Sequence, residues 1–495
     1  RCRLPLSHCA VSGHFPVLRL FALVLLVFAG TLLLPAGVSL WLGDGAERAY
    51  DEALLVTVAA ALTLWWPLRR QRRELRARDG FLLVALVWTL LPVFAAIPFW
   101  RHLPQMSFTD AYFEAVSGLT TTGATVIEGL DRLPYSIKLW RAELQWLGGM
   151  GIIVLAVAIL PLLGVGGRQL FSAEAPGPIK ETRLTPRMAH TARGLWTVYA
   201  ILAAFCALGY AWAGMDWGDA VIHTFATLSL GGFSSHDASF AHFASARAEW
   251  VAIVFMTLGG MNFATHFAAL RRGGPAFYRN DPEIRWYLIV MYASVLGVAL
   301  YLWLAQTYAD FGTALRYAAF NVVSIATTTG FSSTDYGLWP FFAPLWMLFL
   351  ASFVSCAGST GGGMKMMRAI ILFRQVMREV IRTVHPNAVH TVRLTDAPLP
   401  NRIVFAVLAF AFAYMVIIVS ATLLMVFSGS GIVTAFSAVV ACITSTGPGL
   451  GEVGPAGNYK ALTDFQTWLL CAVMLLGRLE IFTLLVVLTP TFWRK

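Results

Sequence analysis

The chain has 495 residues, of which 58% are hydrophobic and 13% charged, and its mean hydropathy is +0.69. That much apolar surface excludes a secreted disulfide scaffold, a coiled coil and a disordered regulator, and points to an integral membrane protein. Lys and Arg number 36 against 26 Asp and Glu, a formal charge of +10, which must be tested against membrane topology before any nucleic acid partner is invoked.

A bilayer core about 30 Å thick needs about 20 apolar residues at 1.5 Å rise per residue. In chain order such stretches lie near 17–42, 53–68, 81–99, 144–166, 194–214, 248–270, 286–306, 342–372, 402–428 and 465–490. Ten spans are therefore expected, the eighth of them interrupted, and the first dozen residues from Arg1 are given no weight. The connections after the second, fourth, sixth and eighth spans hold the basic clusters: Arg69, Arg70, Arg72, Arg73, Arg76 and Arg78; Arg168, Lys180, Arg183 and Arg187; Arg271, Arg272 and Arg279; Arg368, Arg374, Arg378 and Arg382. The intervening connections carry Asp44, Glu47, Asp51, Asp216, Asp219, Asp310 and Asp335. This positive-inside bias places both termini in the cytoplasm, and topology with lipid contact accounts for the charge without nucleic acid. The six cysteines, Cys2, Cys9, Cys206, Cys356, Cys442 and Cys471, contain no CxxC pair and suggest neither a disulfide framework nor a zinc site.

Four semi-polar stretches follow odd-numbered spans, each ending in a hydroxyl- and glycine-rich run: LTTTGATVIEG, LSLGGFSSHDA, ATTTGFSSTDY and TSTGPGLGEVG. Aligned on Gly123, Gly232, Gly330 and Gly447, they recur about every hundred residues. Three residues before the glycine stands a hydroxyl (Thr120, Ser229, Thr327, Thr444), six before a small residue (Ser117, Ala226, Ser324, Ala441), and twelve before an alanine (Ala111, Ala220, Ala318, Ala435). Five after it stands an acid: Glu128, Asp237, Asp335 and Glu452.

The apolar segment before each glycine run is about a dozen residues, too short to span, so it reads as a re-entrant helix followed by extended backbone. Unpaired carbonyls at membrane depth are tolerated where they line a cavity or bind an ion, and four copies around an axis would present rings of oxygens replacing a cation's hydration shell. The re-entrant helices aim the negative ends of their dipoles at the centre, and the four acids form an expected ring at the outer mouth that gathers cations. Tight turns between packed helices would also explain the glycines, but not the hydroxyl and acid columns.

The segment 357–363, Ala-Gly-Ser-Thr-Gly-Gly-Gly, interrupts the eighth apolar stretch; three consecutive glycines cannot be stable helix, so the helix breaks there. It is not a phosphate loop, because Met364 separates Gly363 from Lys365 and no strand precedes it. Such a loop either obstructs the permeation path or is a kink for packing. Lys365 and Arg478 are ionisable residues at or near membrane depth, which implies a cavity or a partner, although a snorkelling role for Lys365 stays open. Glu480, two residues after Arg478, does not share its helical face. Nine residues before the glycines the copies read Glu114, His223, Asn321 and Ala438, no repeated ligand set for a metal, and His223 is expected to be a hydrogen-bonded packing residue. No Ser/His/Asp spacing, HExxH or paired-carboxylate constellation occurs, so no enzyme is expected.

Residues 144–167 (LQWLGGMGIIVLAVAILPLLGVGG), 225–239 (FATLSLGGFSSHDAS), 321–333 (NVVSIATTTGFSS), 356–365 (CAGSTGGGMK), 385–389 (HPNAV) and the C-terminal GPGLGEVGP and GRLEIF resemble the Trk/Ktr/HKT superfamily of potassium transporters, and closely its bacterial Trk-type membrane subunit. The resemblance covers nearly the whole chain. It implies an all-α integral membrane protein of four pseudo-symmetric helix–pore loop–helix repeats around one central pore, with two extra N-terminal helices. The corresponding divisions are 1–79 for the N-terminal pair, then 80–175, 176–280, 281–395 and 396–495 for the repeats. It implies a potassium filter at Thr121, Thr122 and Gly123, Leu230, Gly231 and Gly232, Thr328, Thr329 and Gly330, and Ser445, Thr446 and Gly447. In plant relatives a serine at the first filter glycine goes with sodium selectivity, so Gly123 favours potassium. Ala124, Phe233, Phe331 and Pro448 follow the glycines directly, so modest selectivity over sodium is expected. The resemblance also implies a gate at Gly358, Ser359, Thr360, Gly361, Gly362 and Gly363 with Lys365, a pore-lining role for Arg478, a homodimer, and a cytosolic NAD- and ATP-binding regulatory subunit. K⁺ is then cargo, and no bound organic cofactor is expected on this chain. The expected function is potassium uptake across the bacterial inner membrane. Two rivals stay open: a proton- or sodium-coupled K⁺ symporter, and a poorly selective Na⁺ or NH₄⁺ channel.

Overall fold

The structure, a computed structural model, describes residues 15–69, 77–151, 188–272, 274, 276–387, 391–393 and 398–494. Long apolar runs with few breakers satisfy their own backbone groups as helix, the only open solution in hydrocarbon. Accordingly the described residues hold helices and no strand, only one isolated bridge between Arg393 and Pro398. In chain order the helices are α1 (Phe15–Thr31), α2 (Leu33–Leu42), α3 (Glu47–Leu68), α4 (Ala77–Ala95), α5 (Ile97–His102), α6 (Phe108–Leu119), α7 (Tyr135–Gly149), α8 (Met188–Trp212), α9 (Trp217–Ser229), α10 (Ala246–Gly259), α11 (Phe263–Arg272), α12 (Ala276–Arg279), α13 (Pro282–Leu304), α14 (Phe311–Ala326), α15 (Phe342–Ala351), α16 (Met366–Val384), α17 (Asn401–Phe427), α18 (Ile432–Thr444), α19 (Asp464–Arg478), α20 (Phe482–Leu488) and α21 (Pro490–Trp493).

Six helical stretches are long and apolar enough to cross a bilayer, two of them (α1 with α2, α4 with α5) broken at one residue without a sharp bend: Phe15–Leu42, Glu47–Leu68, Arg78–His102, Arg193–Trp212, Pro282–Leu304 and Asn401–Phe427. They match the first, second, third, fifth, seventh and ninth expected spans. The sixth and tenth differ from expectation. The pair α10 and α11 is bent by 91° and the pair α19 and α20 by 115°, where straight spans over 248–270 and 465–490 were expected. The bends fall on Gly259-Gly260-Met261-Asn262 and on Gly477-Arg478-Leu479-Glu480, with Glu480 and Ile481 at φ +53° and +55°. The eighth span is interrupted as expected, by residues 352–365 between α15 and α16. In the fourth, α7 ends at Gly149 and residues 152–166 lie outside the described residues, as do Arg168, Lys180, Arg183 and Arg187.

The halting points share one cause of close packing. A methyl on Gly148 would stand 1.9 Å from Leu119 O, and one on Gly477 2.1 Å from Ile443 O. Both carbonyls lie four residues before the aligned loop glycine, at the end of a short helix, so the second helix of a repeat crosses the first where only glycine fits. The N-terminal helices are tied in through Asp44, which accepts from Ser39 Oγ (2.6 Å) and from the backbone N–H of Ser136 (3.0 Å) at the start of α7.

Candidate functional site: four loops around one axis

The short helices α6, α9, α14 and α18 have 12, 13, 16 and 13 residues, the expected dozen or so, and all end alike. The N–H just before the loop glycine returns to the helix: Thr122 N donates to Ser117 O (2.8 Å), Gly231 N to Ala226 O (2.9 Å), Thr329 N to Ser324 O (2.7 Å) and Thr446 N to Ala441 O (2.8 Å). The small-residue column six before the glycine is therefore the acceptor of this closing bond. One residue earlier the backbone is left-handed, with φ +55° at Thr121, +55° at Leu230, +66° at Thr328 and +58° at Ser445. Non-glycine residues hold that region at a cost of about 1–2 kcal/mol each, so the surrounding packing enforces it.

The hydroxyl column turns inward. Thr120, Thr327 and Thr444 donate from Oγ1 to the carbonyls of Val116 (2.7 Å), Val323 (2.7 Å) and Val440 (2.8 Å), and Ser229 Oγ to Ala226 O (3.2 Å). These hydroxyls give the last helical carbonyls a second donor beside the backbone N–H they already accept. They also pair with the residue before the glycine, Thr120 with Thr122 at 2.8 Å, Thr327 with Thr329 at 2.8 Å and Thr444 with Thr446 at 2.7 Å. The second loop has Gly231 in that place. There Gln145 of α7 reaches across, donating from Nε2 to Gly231 O (2.6 Å) and accepting the N–H of Phe233 (3.0 Å).

The loops close on one another in strict rotation. A methyl on Gly123 would stand 2.2 Å from Gly231 O, on Gly232 2.0 Å from Thr329 O, on Gly330 2.0 Å from Thr446 O, and on Gly447 2.6 Å from Thr122 O. Each glycine, at φ +77° to +93°, thus abuts the carbonyl before the glycine of the next loop, and the fourth returns to the first. Eight of the twelve residues named for the filter, Thr122, Gly123, Gly231, Gly232, Thr329, Gly330, Thr446 and Gly447, meet in this rotation, and Thr121, Leu230, Thr328 and Ser445 are the left-handed residues just before them.

Beneath the ring lies the segment that interrupts the eighth span. Thr360 Oγ1 donates to Leu228 O (2.9 Å), Gly362 N donates to Thr328 Oγ1 (2.8 Å), and a methyl on Gly362 would stand 1.9 Å from Thr444 O. Arg478 supplies the remaining side: Nη1 donates to Thr360 O (3.0 Å) and Thr121 Oγ1 (3.2 Å), and Nη2 to Gly149 O (3.2 Å) and Gly148 O. Lys365 Nζ donates to Gly361 O and is only 5% exposed, so it holds the segment and does not snorkel. Residues 360–362 and Arg478 together touch the inner ends of all four loops.

The acids five residues after the glycines stand on four separate loops, exposed or half-exposed. Glu128 accepts from Asn458 Nδ2 (3.1 Å) and Asp335 from the N–H of Gly337 (2.9 Å). A single-turn 3-10 helix follows the acid in the first three copies, Leu130–Arg132, Ser239–His242 and Tyr336–Leu338, and contains it in the fourth, Gly451–Val453.

Residues 48–495 match the family model described as TrkH, cation transport protein. The chain is 46% identical over 484 residues to the Trk system potassium uptake protein TrkH of Escherichia coli strain K12, covering 97% of this chain and 100% of that one. Identity to TrkH of Vibrio parahaemolyticus is also 46%, covering 97% and 99%, and the crystal structure of the potassium transporter TrkH from that species superposes with a TM-score of 0.88 at 44% identity, over 97% and 99% of the two chains. The chain belongs to the TrkH family.

Seen in this TrkH-family chain, the column nine before the glycine does more than sequence reading assigned to it. It anchors each loop to its helix: Glu114 accepts from Val126 N (3.0 Å) and Thr125 Oγ1 (3.0 Å), His223 Nε2 meets Ser234 Oγ (2.9 Å), and Asn321 Nδ2 donates to Ser333 Oγ (3.0 Å). In the fourth repeat Ala438 cannot, and its neighbour Ser437 accepts from Leu450 N (2.8 Å) instead. The packing role expected of His223 agrees with these contacts. Arg141, buried at 1% exposure beside fully buried Glu114, donates from Nε to Glu114 (2.8 Å) and from Nη1 to Ser234 O (3.0 Å), with its guanidinium 4.1 Å from the Phe233 ring centre. One buried ion pair thereby fastens the first loop to the second. Glu283 of α13 is a further residue that sequence reading passed over. Its Oε1 accepts the N–H groups of Ala357 (2.7 Å), inside the interrupting segment, and Met367 (3.0 Å), in the first turn of α16 just after it. A polar residue at one column of four apolar helices was the available signal for the first set; nothing in the sequence signals the second.

Proposed function

We propose that the chain takes up potassium across the bacterial inner membrane, its hydrated ions exchanging water for the carbonyls of the four abutting loops. The observation that carries this reading is the closed rotation of glycine against carbonyl, which concentrates backbone oxygens on one axis where a cation is the natural guest. Support comes from the relatives, which are named for potassium uptake. In this reading Thr121 to Gly123, Leu230 to Gly232, Thr328 to Gly330 and Ser445 to Gly447 form the filter, and Glu128, Asp237, Asp335 and Glu452 enrich cations at its outer mouth. The repeats divide as 80–175, 176–280, 281–395 and 396–495 after the N-terminal pair 1–79, with both termini cytoplasmic. Residues 358–363, Lys365 and Arg478 are the gate, and the contacts described above are those of its closed position. A separate cytosolic nucleotide-binding subunit moves it, and the chain works as a homodimer without enzymatic activity.

The test is rescue of a bacterium lacking its own potassium uptake systems on medium of limiting K⁺. Growth is expected with the wild-type chain and not with Gly330→Ala at equal membrane abundance. Failure of the wild-type chain together with its regulator to restore growth or Rb⁺ uptake contradicts the assignment.

A further inference from the structure

On the outer side, where the first repeat meets the second, Asp131, His236 and His242 each offer a ligand atom, all within 4.8 Å of one another. Asp131 follows the first loop, and the two histidines follow the second. The imidazoles of His236 and His242 lie face to face, ring centres 3.5 Å apart and nearly parallel at 5°. His236 Nδ1 is bonded to Asp131 Oδ1, while its Nε2 stands 3.2 Å from Asp219 Oδ2, and Asp219 is itself fixed by Ser235 Oγ at 2.6 Å. His242 is exposed, and its ring nitrogens have no hydrogen-bond partner among the described residues. Asp237 lies beside Asp131, and Lys138 Nζ donates to Asp131 O at 3.3 Å.

Two imidazoles and a carboxylate are the donor set of a borderline divalent ion, and a carboxylate on the far nitrogen of a ligating histidine orients the ring and fixes its tautomer. Asp219 occupies that second position. We infer that Asp131, His236 and His242 bind a zinc-type divalent cation that bridges the first two repeats at the outer mouth and, when bound, slows cation permeation. The ion takes the place of the proton that His236 shares with Asp131, the His236 N–H then points from Nε2 to Asp219, and His242 turns off the stacked ring to present a nitrogen; water completes the coordination. The rationale for slowing is electrostatic: the ion adds positive charge next to Asp237, one of the acids proposed to gather cations.

Two measurements decide. Full-length chain in detergent micelles is equilibrated with Zn²⁺, desalted and assayed for metal, alongside His242→Ala and Asp131→Asn. About one zinc per wild-type chain, and a loss of at least tenfold in both variants, is expected; equal retention by all three, or none by the wild type, overturns the site. Because His242 is exposed, its alanine variant keeps the fold, and its Rb⁺ uptake in proteoliposomes is expected to match wild type without zinc. External Zn²⁺ is expected to slow wild-type uptake severalfold and leave His242→Ala unchanged. Wild-type uptake indifferent to zinc overturns the effect on permeation. The retention assay reads the metal alone, so it stands or falls apart from the transport reading.

Discussion

Glu114 and Arg141 show what a single buried pair does in this molecule. Both side chains are out of solvent, and every polar atom of the guanidinium that bonds is spent on the first or the second loop. Removing one partner leaves an uncompensated charge, and such truncations cost about 3–5 kcal/mol. Glu114→Ala is therefore expected to lower the thermal unfolding midpoint markedly and to abolish uptake, whereas Ser107→Ala, which removes an exposed cap of α6, costs about 1 kcal/mol. Thermal melts of the purified variants check the difference; equal melting of the two would contradict the role of the pair. The glycines of the ring obey a different rule. Their φ values and the 2.0–2.6 Å approach of a methyl to the next loop exclude any side chain without displacing a carbonyl.

Among the elements, the segment 352–365 is held from several helices at once. Glu283 bonds Ala357 within it and Met367 in the helix that follows, Asn262 Oδ1 lies 2.8 Å from where a methyl on Gly358 would stand, and Arg478 and Lys365 hold its carbonyls. Glu283→Gln keeps the shape and weakens both bonds from the backbone N–H groups. Hydrogen exchange over 352–367 is expected to quicken, and ion flux without any regulator to rise. Gly362→Ala, whose methyl would meet Thr444 O at 1.9 Å, is expected to unseat the loop and raise flux further. If both variants lower flux at normal abundance, the segment does not obstruct the path.

Much of this is legible in the sequence alone. The fourfold recurrence, the short helices and the break at 357–363 follow from columns of residue type, because every repeat solves the same problem of ending a helix inside the membrane. What escaped was whatever depends on contact between repeats. The hydroxyl column has no assigned role in the sequence, and in the structure Thr120, Thr327 and Thr444 serve their own helix ends. Gln145 and Glu283 lie outside any repeated column, so their roles appear only when distant segments meet. The bends after Gly259 and Gly477 were missed because apolar composition alone does not distinguish a straight span from a broken one. The doublet Gly259-Gly260 was the available sign for the first of them.

For the molecule as a whole, the N-terminal pair is joined to the four repeats through Asp44. Burial pushes its carboxyl up, but hydrogen bonds from Ser39 and Ser136 outweigh this and leave the pKa below its ordinary value of 3.8. A depressed carboxyl pKa stabilises the fold above the unfolded-state value, and that contribution disappears as pH falls through the folded-state value. Stability is thus expected to drop below about pH 4, with a smaller drop in Asp44→Asn, as read from melting midpoints across pH 3 to 7. An unchanged pH dependence in the variant would remove Asp44 from that linkage.

The closed rotation of four loops is the feature on which the functional reading depends, and cation flux into proteoliposomes tests it most directly. Uptake of K⁺, Rb⁺, Na⁺ and Li⁺ would be compared for wild type and Gly123→Ser, with and without a pH gradient. Passive K⁺ and Rb⁺ flux that loses its preference over Na⁺ in the variant is the expected result. Uptake that requires a proton or sodium gradient and is indifferent to Gly123→Ser would contradict a filter built from these loops and leave a coupled carrier in its place.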